Sequence, residues 1–442
     1  SIRDAAHTPL KMTKTTTLLL LLTAACMNIP RIHAFAPTYN PKSCTNLSAK
    51  ASKTKKAKSK KSQTASSGIR GFGGTSTQTT KSTKKDALKT TIDRSKPTME
   101  FYKYMQEFSP VAAANLKRVA IGLCEVAPGI AIRGVVTLKP IAKGEEILCI
   151  PYELALNLGR EGNDPTLPAY TLQQEICKKD SNKQSYLNLL PKFNGSDMLG
   201  STDFFSENAL EALQYPPMVR ETIERRNRTT ARFERDVEPM LHISPELFSY
   251  QNNEVTQRHL QWCVWLITSR VLTVQGSAES NEAYRLMIPL LDMCNHDRSS
   301  PHILSGRAVP GGLLKVVAGK NLEAGEQVNI CYGGGVAGND RFLQDYGFLD
   351  DFNGSTNKEE AYDIVARQVL GLHQAQPQQG ASMIMSFSDR NAILEALQGS
   401  SVEEDEVLLL ELKDDEENED VKAAVRFRIG VKKALERCRR AS

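Results

Sequence analysis

Beyond residue 96 the spacing of apolar and polar positions divides the chain into four stretches. Residues 100–118 place Phe101, Met105 and Phe108 on one helical face, and Pro110 is expected to interrupt the helix. Short β-type runs follow at Gly134–Thr137 and Ile147–Ile150, the second closed by Pro151. Between them lies Ile141-Ala-Lys-Gly144-Glu145-Glu-Ile147. The same pattern returns about 180 residues later as Leu322-Glu-Ala-Gly325-Glu326-Gln-Val328, with glycine at a turn and a strand starting after it. The recurrence predicts two related β segments of one sheet system.

Residues 165–280 are rich in Glu, Gln, Arg and Leu and predict a helical insertion. Its clearest helix runs from Glu254 to Leu272, where Leu260, Trp262, Val264, Trp265 and Leu266 form a broad apolar face. Both tryptophans read as core. Residues 286–350 return to strands and tight loops, with Leu313–Val317 after a Gly-Gly pair and period-two alternation over Val328–Tyr332. From about residue 355 the helical period resumes. Tyr362, Val365, Ala366 and Val369 share one face; Val421, Val425, Ile429 and Leu435 share another. The acidic run Glu403–Asp420 between them reads as a solvated loop or helix edge.

The first 95 residues are of another kind. Met12-Thr-Lys14 precedes the apolar run Leu18–Leu22 and a small-residue site at Ile32-His33-Ala34, followed by Phe35-Ala-Pro37. This is the order of a signal peptide over 1–37, too short to span a membrane as a mature helix. Residues 38–95 are rich in Lys, Ser and Thr, without hydrophobic period, and are expected to be disordered. A signal peptide ending in Ala-Phe-Ala-Pro before such a tract resembles the two-part plastid presequence of diatoms and related algae. The competing destinations are secretion and, through Lys53–Lys61, the nucleus.

Charge sharpens this division. Residues 1–94 hold 18 Lys and Arg against 3 Asp and Glu, and the remainder holds 38 against 48, so the net +5 hides a basic leader on an acidic body. An acidic body is a poor general partner for nucleic acid and suits a basic peptide segment. The nine cysteines are scattered without a Cys-x-x-Cys pair, and no two histidines have ligand spacing. A zinc cluster and a disulfide framework are therefore not indicated, no metal is expected, and buried free thiols are the simplest reading.

Three segments carry candidate chemistry. In Ile288-Pro-Leu-Leu-Asp292-Met-Cys-Asn295-His296, Asp and Asn three apart after an apolar strand can shape an irregular loop through their own backbone, or hold a ligand. Gln327-Val-Asn-Ile-Cys-Tyr332 ends in a tyrosine before Gly333-Gly-Gly335. There the ring either packs or stands at a rim; no Gly-Lys-Ser/Thr follows, so a phosphate loop is excluded. Asn339-Asp-Arg-Phe-Leu-Gln-Asp-Tyr346-Gly-Phe348 has room for about two helical turns before a glycine stop.

In this order the three segments resemble the motifs of SET-domain protein methyltransferases, above all the branch of Rubisco large-subunit lysine methyltransferase and the actin-histidine methyltransferase. The resemblance spans residues 115–350 well and 355–442 less well. It implies an α+β SET fold of small β sheets with a threaded C-terminal segment, over residues 96–350, with the helical insertion inside it. A shortened helical substrate-binding domain would occupy 351–442. It implies S-adenosylmethionine as cofactor, bound by Gly134, Arg270, Asp292, Asn295, His296 and Phe348. Tyr332 would be the catalytic tyrosine, with Arg270, Asp292 and Tyr346 against the substrate. An arginine suits the cofactor carboxylate because its guanidinium makes two parallel bonds. The family's usual Gly-x-Gly is Ile132-Arg133-Gly134 here, with Gly129 as an alternative contact. The function implied is protein-lysine N-methylation of a plastid protein, by a monomer whose mature form needs neither nucleic acid nor membrane. Histidine methylation and non-catalytic peptide binding on the same scaffold are the alternatives.

Overall fold

The computed structural model describes residues 90–127, 130–178, 181–195, 200–251, 253–350, 360–372, 385–413 and 416–441. The signal peptide, nearly all of the Lys/Ser/Thr leader, and Gly129 lie outside them.

Among the described residues thirteen strands form three small sheets and one hairpin. The largest sheet has the order β1 (Thr90–Ile92), β2 (Val119–Ala127), β3 (Ile130–Thr137), β13 (Gln327–Ile330), β10 (Asn295–His296). Its pairs are antiparallel except β10 with β13, which is parallel. A second sheet joins β11 (Ile303–Ser305), β12 (Leu313–Val317) and β4 (Glu146–Pro151), and a third joins β5 (Leu156–Arg160), β9 (Ala283–Met287) and β8 (Leu272–Gln275). The hairpin is β6 (Ser249–Tyr250) with β7 (Asn253–Glu254).

The repeated turn pattern has a structural consequence. Gly144 and Gly325 take φ of +90° and +85°, where a side chain would be strained. Ile141 and Leu322, at equivalent positions of the two copies, bond each other's backbone at 3.0 and 2.9 Å. The copies therefore pair with one another. They feed two adjoining sheets, through β4 and β13, rather than one.

Pro110 does not simply break the first helix. It opens a new one, because a missing N–H costs nothing in a first turn. α1 spans Lys96–Phe108 and α2 spans Pro110–Asn115, with the Ser109 hydroxyl accepting from Ala112 N. Phe101 and Met105 are fully buried, each worth roughly 1.5–3 kcal/mol. In the insertion, α3 (Thr166–Cys177), α4 (Pro216–Arg232) and α5 (Gln257–Arg270) are the long helices. α5 starts three residues later than the apolar period suggests. Glu254 is taken by the hairpin, and a capping box between Thr256 and His259 fixes the start.

The C-terminal helices are α6 (Glu360–Leu370), α7 (Phe387–Ala396), α8 (Val402–Glu411) and α9 (Glu419–Ala441). Much of the acidic run is thus helix, started by a capping box of Ser401 and Glu404. These helices share one core with the insertion and with the segment after β13. Tyr362, Val365 and Phe427 cluster with Leu210, Met218, Leu343 and Leu349. Among the described residues no helix is long and apolar enough to cross a membrane, and no group of His, Cys, Asp or Glu is placed to hold a metal.

Candidate functional site

The floor of the site is the β3–β13–β10 junction. Parallel pairing puts Asn295 beside Asn329 and His296 beside Ile330. The Asn295 amide donates to the Arg133 carbonyl at 3.0 Å. A side chain at 134 would stand 2.7 Å from Gln327 Nε2 and 2.8 Å from Asn295 Nδ2, so only glycine leaves this floor open. Gln327 Nε2 and Asn329 Oδ1 are buried without hydrogen-bond partners, as are Arg270 Nε and Asp292 Oδ1 in the adjoining wall. A buried polar atom left unpaired costs about 1–3 kcal/mol. Two in the floor and two in the wall leave hydrogen-bonding capacity that a bound polar molecule, water included, would satisfy.

The wall is the 288–294 loop. Leu290 is held at φ +67°, a strained value for a leucine, and is fully buried. The turn it forces drops Asp292 inward. Its carboxylate accepts from Tyr186 Oη at 2.6 Å. Arg270, the last residue of α5, donates from Nη1 to the Asp292 carbonyl at 3.1 Å and lies 3.9 Å from its carboxylate. Burial pushes the Asp292 carboxyl up to about 6, against the pull of the Arg270 guanidinium.

Tyr332 closes the other side. β13 ends two residues before it, so the ring leaves the strand on a turn in which Gly333 and Gly334 take φ near +60°. Its hydroxyl donates to the Cys294 carbonyl at 2.6 Å, and its N–H donates to His296 Nδ1 at 3.0 Å. Burial raises the phenol well above its ordinary value. Tyr332 is therefore a neutral hydrogen-bonding group and not a phenolate base. Because His296 Nδ1 accepts, its proton sits on Nε2, which faces Asp350 Oδ2 at 3.5 Å.

Asp350 ties this side together. Its carboxylate takes Arg298 Nε at 3.0 Å, and its N–H donates to Asn339 Oδ1 at 2.7 Å. Arg298 also donates to the carbonyls of Gly335 and Ala337, both at 2.7 Å. One guanidinium thus staples the glycine turn after Tyr332 to the loop after His296.

The last element is the turn from Asn339. It begins as an α turn, Asn339–Arg341, and widens into a π turn, Phe342–Tyr346. Gly347 ends it at φ +84°, and a side chain there would lie 2.2 Å from the Gly200 carbonyl. The wide turn presents Tyr346 against Tyr332, ring centroids 5.1 Å apart and nearly parallel. Phe348 stacks on Phe342 at 5.2 Å and approaches the His296 ring. Trp265 packs on the core as expected, but its indole N–H also holds the Tyr346 carbonyl at 3.2 Å.

All the residues singled out by sequence, Gly134, Arg270, Asp292, Asn295, His296, Tyr332, Tyr346 and Phe348, fall within this connected group. Arg133, Tyr186, Arg298 and Asp350 also belong to it and were missed. Arg298 and Asp350 stand two residues beyond His296 and Phe348, so nearness to the motifs was an available signal. Arg133 adjoins Gly134, so the same signal applied to it; Tyr186 reaches the site through tertiary folding, and nothing local marks it. Among the described residues, cavities of about 80 and about 260 Å³ lie elsewhere and are lined by none of this group.

No family model matches the chain, and no curated protein matches it. Solved structures do. The SET domain of LSMT bound to lysine and AdoHcy superposes with a TM-score of 0.50 at 19% identity, over 77% of this chain and 89% of that one. The same domain bound to methyl-lysine and AdoHcy gives 0.51 at 18%, over 78% and 90%. Rubisco LSMT bound to AdoMet gives 0.50 at 18%, over 78% and 90%. At this identity the likeness is one of architecture: the chain has the α+β SET-domain fold, with helices inserted in it and following it.

Proposed function

We propose that this chain is an S-adenosylmethionine-dependent protein-lysine N-methyltransferase whose substrate is a plastid protein. The observation that carries the reading is the meeting of Tyr332 and Tyr346 with a floor of unpartnered polar atoms around Gly134. This occurs in a fold whose solved examples include LSMT bound to lysine and AdoHcy. The plastid assignment rests on the leader sequence alone.

The residues present fit the donor. Gly134 leaves the floor open, Asn295 and His296 line it, and Phe348 adds an aromatic face. Arg270 offers an unpartnered Nε for a carboxylate. Bound there, S-adenosylmethionine supplies a methyl group already activated on a sulfonium, so no metal is required. The chain's own residues then act on the acceptor. A lysine side chain has a free pKa of about 10.4 and attacks only when neutral. Tyr332 and Tyr346 stack at the site, and an acceptor amine taken out of water beside them would lose stability as the ammonium. The Tyr332 hydroxyl is fixed by the Cys294 carbonyl, and the Asp292 carbonyl is fixed by Arg270. Fixed dipoles orient an amine at no further entropic cost, and near-attack positioning contributes about 7–11 kcal/mol.

The test is to incubate the purified chain with methyl-labelled donor and a plastid extract, then hydrolyse the labelled protein in acid. Methyl-lysine is the expected product. Methyl-histidine would transfer the reading to the histidine-directed alternative. Donor binding without any transfer would make the chain a peptide-binding protein on a catalytic scaffold.

A further inference from the structure

A second built site lies away from these tyrosines, where the insertion meets the C-terminal helices. A cavity of about 80 Å³ is lined by Tyr215, Met218, Asp340, Arg341, Met385 and Asp389, among others. A single water needs only about 10–15 Å³ of such space, so there is room for a larger occupant.

Its polar lining is incomplete. Tyr215 exposes 2% of its surface and Asp340 exposes 9%, yet Tyr215 Oη and Asp340 Oδ1 have no hydrogen-bond partner. The charges around them do not balance. Three carboxylates, Glu221, Asp340 and Asp389, line the cavity against two guanidiniums, Arg220 and Arg341, with Asp345 and Arg225 acting from behind. Each guanidinium is engaged. Arg220 pairs with Asp389 at 2.9 Å, Arg341 with Glu221 at 3.0 Å, and Arg225 with both Asp203 and Asp345. Asp340 has no ion pair of its own; burial pushes its carboxyl up, against the pull of the neighbouring Arg341 charge and of the backbone N–H groups of Arg341 and Asp340 itself. The two methionines and Pro217 supply an apolar lip.

One carboxylate oxygen and one phenol in want of a partner, behind an aliphatic rim, match one chemistry. We propose that this cavity binds a primary ammonium carried on an aliphatic stem, the ammonium meeting Asp340 and Tyr215 and the stem lying on Met218 and Met385. Two sources carry that chemistry, a lysine side chain of a protein segment and a free alkylamine. The proposal does not rest on methyl transfer, since binding alone defines it.

Methionine methyls report on it directly. The full chain, labelled with ¹³C at the Met methyls, is titrated with n-butylamine, Nα-acetyl-lysine amide and n-butanol at neutral pH. Met218 and Met385 are assigned through Met218→Leu and Met385→Leu. Both ammonium ligands are expected to shift these two methyls saturably while the alcohol does not. Met293, beside the Tyr332 site, separates binding there from binding here. Asp340→Asn should weaken the response about tenfold or more, as loss of a buried charge partner implies. Tyr215→Phe, a milder change, should weaken it less. Unchanged remaining Met signals establish that each variant is folded. A response to both ligands supports a lysine side chain as occupant, and a response to the free amine alone supports the alkylamine. No saturable shift, an equal shift with n-butanol, or an Asp340→Asn variant that binds as the parent does would overturn the proposal. A chain without methyl transfer would leave these shifts in place.

Discussion

Replacing Arg298 with methionine removes one guanidinium and keeps most of the side-chain volume. Arg298 and Asp350 expose only 5% and 3% of their side chains, and their bond is 3.0 Å long. Breaking a buried pair by removing one partner costs about 3–5 kcal/mol, because the other charge is left uncompensated. The carbonyls of Gly335 and Ala337 also lose charge-assisted donors, and Phe342 loses the cation 5.6 Å from its ring centroid. These losses share one side chain and do not add, so Arg298→Met is expected to destabilise the fold by about 3–5 kcal/mol. Urea unfolding followed by tryptophan fluorescence reads this, since Trp265 holds the Tyr346 carbonyl in the same assembly. Adding Asp350→Asn removes the stranded charge, and the double variant should recover about 1–3 kcal/mol of the summed single losses. The acid side gives a second reading. Burial raises the Asp350 carboxyl, but the His296 ring and Arg298 outweigh it and hold it below the ordinary carboxylate range. A depressed carboxyl contributes stability that is present above its unfolded pKa and is lost as pH falls through the folded one. That acid loss should shrink in Arg298→Met. A variant within about 1 kcal/mol of the parent, or strict additivity with Asp350→Asn, would refute the role of this staple.

Gly134→Ala places a methyl group among the ends of Gln327 and Asn295. It should cost about 1–3 kcal/mol as overpacking, and lower donor affinity measured by calorimetry more than it lowers stability. Asp292 gives a pH signature of opposite sense to Asp350. Its folded value of about 6 lies above the unfolded one, so its contribution declines as pH rises from about 4 to about 6 and is level above that. Asp292→Asn should abolish this slope in a series of urea midpoints taken across pH 4–7, and an unchanged slope would contradict the assignment.

How much of this was legible in the sequence differs by element. The motif residues were readable because each sits in a short run whose local chemistry is unusual: Asp292 and Asn295 after a strand, Tyr332 before three glycines, Tyr346 before a glycine stop. The paired turns were readable as a repeat, but not that Ile141 and Leu322 bond one another, since long-range pairing leaves no local trace. Pro110 interrupts the helix as its ring predicts; that it also opens the next one was not legible, because the ring that breaks a helix interior equally suits a helix start. The acidic run reads as either loop or helix edge in sequence, because its charge pattern hides the Ser401 cap. Arg298 and Asp350 were invisible as a pair. Either alone is an ordinary surface charge, and only burial together makes them a structural bond. Tyr186 reaches Asp292 across 106 positions of chain, a contact that no spacing rule predicts.

The central claim is that one pocket holds a sulfonium donor and aims an amine by means of the Tyr332 hydroxyl. Tyr332→Phe removes that hydroxyl and little else, so the decisive measurement is the donor affinity and single-turnover transfer rate of this variant beside the parent. The account predicts affinity within about threefold and transfer slower by about 10²-fold or more. A parent that binds no donor, or a Tyr332→Phe variant that transfers methyl as fast as the parent, would contradict it.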